Sequence, residues 1–294
     1  MWIFALILWL LFWSLGSVLL VRLGEKQDKE TLKSILRGRS ICPHCHNTLS
    51  PRHLIPLFSF LWQKGKCAFC GQKVSRLYPL LEIWSALVFV LTFLWFQYMG
   101  VGTIFFRCMI NWLLFLLMVY DVIKYELHVP LWIILILLSS IPQIIGYQGN
   151  YLQAFRSVLM FVGGFLVIFF GAKAYIYLRY HTAQEWLGEW DIYLAGAIGL
   201  LMPFIFSYHH LDYTFAHIFK IFLIFLLLSS ILGILLRLIL WIIKYSIPTI
   251  WTDTELSLFA DKVLIPFIPA MIIAFWLLLL YAPSFLYFFA PFVW

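Results

Sequence analysis

From residue 80 almost to its end the chain is a succession of apolar stretches, each about as long as a bilayer is thick and broken only by short groups of charges, Gly and Pro. A spanning helix needs about 20 predominantly apolar residues. Lipid offers the backbone no hydrogen bonds, so each stretch must satisfy its own N–H and C=O groups as a helix. Spans are predicted at about 80–98, 104–123, 130–147, 154–173, 191–207, 217–240 and 263–281, and a further one opens the chain at 2–21. That first segment carries no charge before Arg22. It is too long for a signal peptide and lacks a basic start and a small-residue cleavage site, so it reads as a true span. Composition agrees: 64% of the residues are hydrophobic and 11% charged, against about 25% charged in soluble domains. Too few charges remain to cover a water-facing surface, which excludes a soluble enzyme, and the hydrophobicity excludes a disordered chain. The predicted fold class is an all-α polytopic membrane protein of about eight transmembrane helices. Its first helix is 1–21, a small zinc-ribbon-like loop domain occupies 22–79, and the membrane core is 80–294.

The net charge is +7. In a soluble chain this would raise a nucleic-acid partner; here topology explains it better, and no nucleic acid is expected. Eleven of the 20 basic residues lie between Arg22 and Arg76. If 2–21 is the first crossing, the loops at 22–79, 124–129, 174–190 and 241–262 share one side. Counting residues near the span ends, that side holds every Lys and Arg except Arg107, Arg156 and Lys220. The excess of Lys and Arg marks it as cytosolic, with both ends of the sequence outside. The aromatic-rich stretch 281–294 suits an outer interface.

Four of the five cysteines sit in the hydrophilic loop as two close pairs, Cys42 with Cys45 and Cys67 with Cys70. Close pairs in a basic loop point to a reduced compartment and a metal rather than a disulfide framework. A CxxC turn offers two thiolates to one ion, and two such turns close a tetrahedral shell around zinc with no position left for water. The site would be structural, supplying folding free energy to a loop too short to build its own core. A redox pair, or His44 or His46 replacing one cysteine, are the readings left open. Cys108, inside a span, reads as a small packing residue.

Ionisable groups at membrane depth are costly and are functional candidates by default. Those in or at the ends of spans are Glu82, Asp121, Asp191, Asp212 and Asp261. Asp121 ends the third span and Asp191 begins the sixth, so topology brings both to the cytosolic edge of the bilayer. Two carboxyls that meet in such a site cannot both ionise. One can then act as base on a water while the other, protonated, polarises a peptide carbonyl. The plainer reading is a helix-capping Asp at each position. It suits Asp191 better than Asp121, which ends a helix where the dipole opposes an anion.

These residues resemble a known family, the bacterial type IV prepilin peptidases, over almost the whole chain. Leu15-Gly16-Ser17 followed by Arg22-Leu23 is similar to the family's opening motif. Ser40-Ile41-Cys42-Pro43-His44-Cys45 and Leu54-Ile55-Pro56-Leu57-Phe58-Ser59 resemble its SxCPxC and LIPxxSY segments. Gly65-Lys66-Cys67 through Cys70-Gly71, with Ser75-Arg76-Leu77-Tyr78-Pro79 and Glu82, resembles the second cysteine motif. Asp121 with Val129-Pro130 fits the first aspartate pattern, and Ile265-Pro266-Phe267-Ile268-Pro269-Ala270 the late IPFGP motif. The second aspartate motif, usually GxGDxKL, departs most. Gly188, Asp191 and the small-residue run Ala195–Gly199 are kept, while Trp190 replaces the second glycine and Tyr193 the lysine.

The resemblance implies an aspartic endopeptidase of the bacterial cytoplasmic membrane. Asp121 and Asp191 would be its catalytic pair, prepilins or pseudopilins its substrates and the lipid bilayer its surroundings. The four-cysteine loop would cover or position the site. Many members also methylate the new amino terminus with S-adenosylmethionine; no Gly-rich strand-to-helix turn announces a separate domain for this. Two other readings compete. A presenilin-like intramembrane aspartyl peptidase would share Tyr120-Asp121 and Gly188-x-x-Asp191 but has no place for the cysteines. A transporter would use Asp121 and Asp191 as a proton or cation relay.

The remaining polar residues have plain readings. Glu82 is a helix-start carboxylate and a weak supporting candidate for the site. Lys124, Glu126 and His128 form a hydrated turn just past Asp121. His209, His210, Asp212 and His217 form a solvated outer loop rather than a metal site. Gly163, Gly164 and Gly171 are candidates for helix packing within or between chains.

Overall fold

The computed structural model describes residues 40–42, 44–74, 77–124, 126–144, 151–181, 188–246 and 267–289. The predicted first span at 2–21, the matches at Leu15–Ser17 and Arg22–Leu23, and the residues Pro43, Ser75, Arg76, Asp261, Ile265 and Pro266 lie outside the described residues. The chain divides into two compact units, residues 1–116 and 117–294.

In the first unit the cysteine loop contains a short 3₁₀ turn, Pro51–His53, and a single helical turn and a half, α1, Phe58–Trp62. Two isolated β-bridges, Ile41 to Thr48 and Lys66 to Lys73, are its only pairing among the described residues. The chain then enters α2, Leu77–Phe96, and α3, Val101–Lys124. Phe89, Phe93 and Phe96 are buried on α2. The Asn111 amide donates to Thr92 Oγ1 at 3.0 Å, so two buried polar groups at membrane depth satisfy each other.

The second unit takes in the last two turns of α3, then α4, Val129–Ile144, α5, Tyr151–Tyr180, α6, Glu189–Tyr208, α7, Phe215–Ser246, and α8, Phe267–Phe289. Helix α6 packs against α4, α5 and α8, and α7 packs along α8. The small residues of α6 explain why it takes the centre. A Cβ added at Gly199 would lie 2.9 Å from Val158 Cα and 3.0 Å from the Ser157 carbonyl, so α5 and α6 touch backbone to backbone there. Between α5 and α7 the Phe161, Phe165, Phe222 and Phe225 rings interleave, and the Phe222 ring lies directly on Gly164. Of the three glycines singled out for packing, Gly164 therefore packs within the chain, while Gly163 and Gly171 face open space.

Six of these helices, α2, α3 and α5 to α8, are long and apolar enough to cross a membrane; α4 is a shorter apolar helix. The stretch expected at 154–173 extends to Tyr180. A charge at 173 does not end the helix, because the lysine's long stem lets Nζ reach over the Phe169 ring at 5.7 Å while the backbone continues. Helix α8 is bent at Tyr281, whose backbone is non-helical (φ −129°, ψ 18°), two residues before Pro283.

Candidate functional site

Two clusters of chemically capable side chains stand out, one in each unit. In the first, the CxxC pairs fold into matching knuckles. The Cys42 N–H donates to the Asn47 carbonyl at 3.0 Å and the His46 N–H to the Cys42 carbonyl at 2.9 Å. The Cys67 N–H donates to Gln72 at 2.8 Å and the Gly71 N–H to Cys67 at 3.0 Å. Each knuckle is closed by one of the β-bridges, and each turns through a left-handed residue one position after its second cysteine, His46 at φ 54° and Gly71 at φ 70°.

The result brings all four Sγ atoms within 4.8 Å of one another, with Cys42 and Cys70 at 4.0 Å. Four sulfurs each about 2.3 Å from a tetrahedral ion stand roughly 3.8 Å apart, so this donor set fits a metal ion. Among the described residues the group that converges is the four cysteines, with no histidine in it. The backbone N–H groups of Cys70 and Phe69 point at Cys67 Sγ and hold its thiol down to about 6. Its partner Cys70 is pushed the other way, up to about 11, by desolvation and the thiols crowded around it.

The second cluster lies where the end of α3 and the starts of α4 and α6 converge. Asp121, one turn from the end of α3, and Asp191, in the first turn of α6, are each only 6% exposed. Their environments differ. Asp191 Oδ2 accepts the backbone N–H of Gly188 at 3.1 Å, as a capping residue does, whereas Asp121 Oδ2 is buried without a hydrogen-bond partner in the protein. A buried carboxyl oxygen left unpaired is expensive.

Two aromatic contacts frame the pair. Tyr120 meets His128 edge-on at 4.7 Å, joining α3 to α4. Trp132 donates its Nε1–H to the Tyr193 carbonyl at 2.9 Å and meets the Tyr193 ring at 5.6 Å, joining α4 to α6. Trp190 stacks obliquely on Tyr193 at 5.8 Å. Trp190 and Tyr193, the two departures from the family pattern, are thus exposed neighbours on either side of buried Asp191. Trp190 has ordinary helical backbone, so no glycine is needed there.

The other polar residues fall as follows. Lys124 and Glu126 are exposed, as expected of a hydrated turn, but His128 is buried. Its Nδ1 accepts the Leu131 N–H at 3.2 Å and caps α4, and its Nε2 has no protein partner. Desolvation pushes the His128 imidazole below its usual range, so it is neutral. Glu82 accepts the Leu57 N–H at 2.7 Å, a contact 25 residues long in sequence that no motif announces. The histidines of the 209–217 loop meet backbone carbonyls, His209 Nε2 that of Leu279 and His217 Nδ1 that of Asp212, and do not converge on a metal position. Arg107, which the sequence offered only as a topological charge, is buried within α3. Trp132 also carries no sequence signal; only the fold brings it to Tyr193.

Comparison with known proteins gives a consistent picture. The family model described as the bacterial peptidase A24 N-terminal domain matches residues 7–96. The chain is 52% identical over 56 residues to the prepilin leader peptidase/N-methyltransferase of Bacillus subtilis (strain 168), covering 19% of this chain and 23% of that protein. It is 44% identical over 68 residues to the type 4 prepilin-like proteins leader peptide-processing enzyme of Escherichia coli O78:H11, covering 23% and 25%. The longer match, to the prepilin leader peptidase/N-methyltransferase of Aeromonas salmonicida (strain A449), is 29% identical over 175 residues and covers 60% and 57%. The matched regions thus span from about a quarter to under three fifths of these relatives. No solved structure matches the chain.

Proposed function

We propose that the chain is a member of the type IV prepilin peptidase family, a membrane aspartic endopeptidase that removes the basic leader from prepilins or pseudopilins, using Asp121 and Asp191. The observation that supports this reading is that two buried carboxyls, 70 residues apart in sequence, stand at the end of α3 and the start of α6, which are linked through α4 by the Tyr120–His128 and Trp132–Tyr193 contacts. Two acids in one low-dielectric site share a proton, and the difference in their partners assigns the roles. Asp191, which receives the Gly188 N–H, is the ionised base. Asp121, whose Oδ2 has no donor, is the protonated acid.

Asp191 takes a proton from water as the hydroxide attacks the scissile carbonyl. Asp121 gives its proton to the carbonyl oxygen, stabilising the tetrahedral intermediate. Collapse breaks the C–N bond, the departing nitrogen receives the proton held by Asp191, and Asp121 recovers its own. The products are a carboxylate-ended leader and a free amino terminus. The Trp132–Tyr193 hydrogen bond and the Gly188 cap keep the start of α6 in register for this chemistry.

The basic loops suggest that the pair faces the cytosol, the side on which a basic leader would be retained, in a bacterial cytoplasmic membrane. The four cysteines would hold a structural zinc ion that ties the loop together; no open coordination position is available for hydrolysis. The relatives' names also carry an N-methyltransferase activity. Among the described residues β structure is limited to two bridges, so no strand-to-helix cradle for S-adenosylmethionine is present there, and no step is routed through it.

Co-expression with a prepilin tests the proposal. Asp121→Asn and Asp191→Asn should each leave the precursor uncleaved, a loss on the order of a thousandfold or more, while the protein still reaches the membrane. Unchanged processing would overturn the assignment and favour a transporter-like aspartate relay.

A further inference from the structure

Helix α1 has an outward face with nothing of the described residues on it. Phe58, Leu61 and Trp62 stand at i, i+3 and i+4 and are 74%, 71% and 91% exposed. Phe60 points the other way, its ring over the Gly65 turn. A short helix with two large aromatics and a leucine on one face is not designed for water.

Its position says what it meets. The Glu82 carboxylate, on the second turn of membrane helix α2, accepts the Leu57 N–H at 2.7 Å and so pins the start of α1 beside the start of a span. Leu57 is there the centre of a tight turn with φ 61° and ψ −48°, closed by a Phe58 N–H to Pro56 carbonyl bond of 2.7 Å. This is the rare positive-φ γ-turn, and a leucine stays in it only where the surroundings hold it. Next to Glu82, Ile83 and Trp84 are exposed apolar residues of the same span. Apart from Glu82, the charges that flank α1 in the loop are of one sign. Arg52, Lys64, Lys66 and Lys73 are exposed, and no acidic residue occurs between Glu30 and Glu82.

We propose that the Phe58, Leu61 and Trp62 face of α1 is a membrane-docking surface, seated in the headgroup region of an anionic bilayer with Lys64 and Lys66 on the lipid phosphates. Apolar anchors set the depth and basic residues select the charge, as in interfacial helices generally. The loop would then lie against the membrane, held by α2 on one side and by lipid on the other. This does not depend on the peptidase reading.

The test is hydrogen exchange of the full chain in nanodiscs of a phosphatidylglycerol–phosphatidylcholine mixture and of phosphatidylcholine alone. Amides 57–65 should exchange on the order of tenfold more slowly in the anionic discs. Trp62→Glu should abolish the difference. Lys64→Gln with Lys66→Gln, which alters no buried group, should remove most of it, so the inference does not hang on one variant. Equal exchange in the two lipids would overturn the proposal and mean that the face is covered by the protein itself or not at all. Protection that appears only on adding a prepilin peptide, whatever the lipid, would also overturn it and give the face to the substrate.

Discussion

Asp191 Oδ2 accepts the backbone N–H of Gly188 at 3.1 Å, so one carboxyl of the buried pair also closes the first turn of α6. Capping and chemistry are separable by substitution. Asn keeps an acceptor oxygen in the same place, whereas Ala removes it, and losing such a cap costs about 1 kcal/mol. Asp191→Asn should therefore unfold at the wild-type temperature in detergent yet leave prepilin uncleaved. Asp191→Ala should be equally inactive and unfold at a lower temperature. If Asp191→Asn cleaves normally, the residue is a cap and nothing more.

The knuckles make a second, smaller test of local physics. Gly71 and His46 occupy equivalent left-handed positions, and a Cβ at Gly71 would meet nothing within 4 Å. Gly71→Ala therefore isolates the backbone effect, about 1–2 kcal/mol against the folded loop. His46→Gly should relieve the same strain in the other knuckle and be neutral or stabilising. Competition for metal against a chromogenic chelator reads both: Gly71→Ala should weaken metal retention and His46→Gly should not.

Much of this was legible in sequence because it is local. The spans follow from runs of apolar residues, and the two CxxC turns announce their own convergence through spacing alone. The expectation that Asp121 and Asp191 lie at one membrane face came from counting crossings, since the end of a third span and the start of a sixth share a side. What escaped depends on helix rotation and long-range contact. Sequence cannot say that Gly164 rather than Gly163 lies under Phe222, because the two differ by 100° around α5. It gave no sign that Glu82 reaches Leu57 across 25 residues. His128 looked like part of a hydrated turn because its neighbours are charged, yet its side chain is buried as the cap of α4. The helix that carries the span expected at about 154–173 continues to Tyr180.

Metal removal should act on the loop and not on the helices. With four cysteines as the donor set, one bound zinc per chain is expected, and Cys45→Ala or Cys70→Ala should reduce it to well below one. Because the ion supplies much of the loop's folding free energy, chelation should speed amide exchange across 41–73 while leaving the helical circular dichroism unchanged. Loss of prepilin cleavage in parallel would show that the loop positions substrate; cleavage that survives chelation would separate the loop from the reaction.

The backbone-to-backbone contact of α5 and α6 gives the most demanding prediction. Gly199 on α6 faces the backbone of α5, where an added Cβ would stand 2.9 Å from Val158 Cα and 3.1 Å from its nitrogen. Backbone cannot rotate aside as a side-chain end can, so even a methyl group must push the two helices apart. Overpacking of this kind costs about 1–3 kcal/mol, and Gly199→Leu should cost more. Gly163→Ala, which meets nothing within 4 Å, is the matched control and should be silent or slightly stabilising through helix propensity. Since α6 also carries Asp191, the shift should reach the site, and Gly199→Ala should lower cleavage along with the unfolding temperature. A Gly199→Ala protein as stable and as active as wild type would mean that α5 and α6 do not approach as closely as their small residues permit.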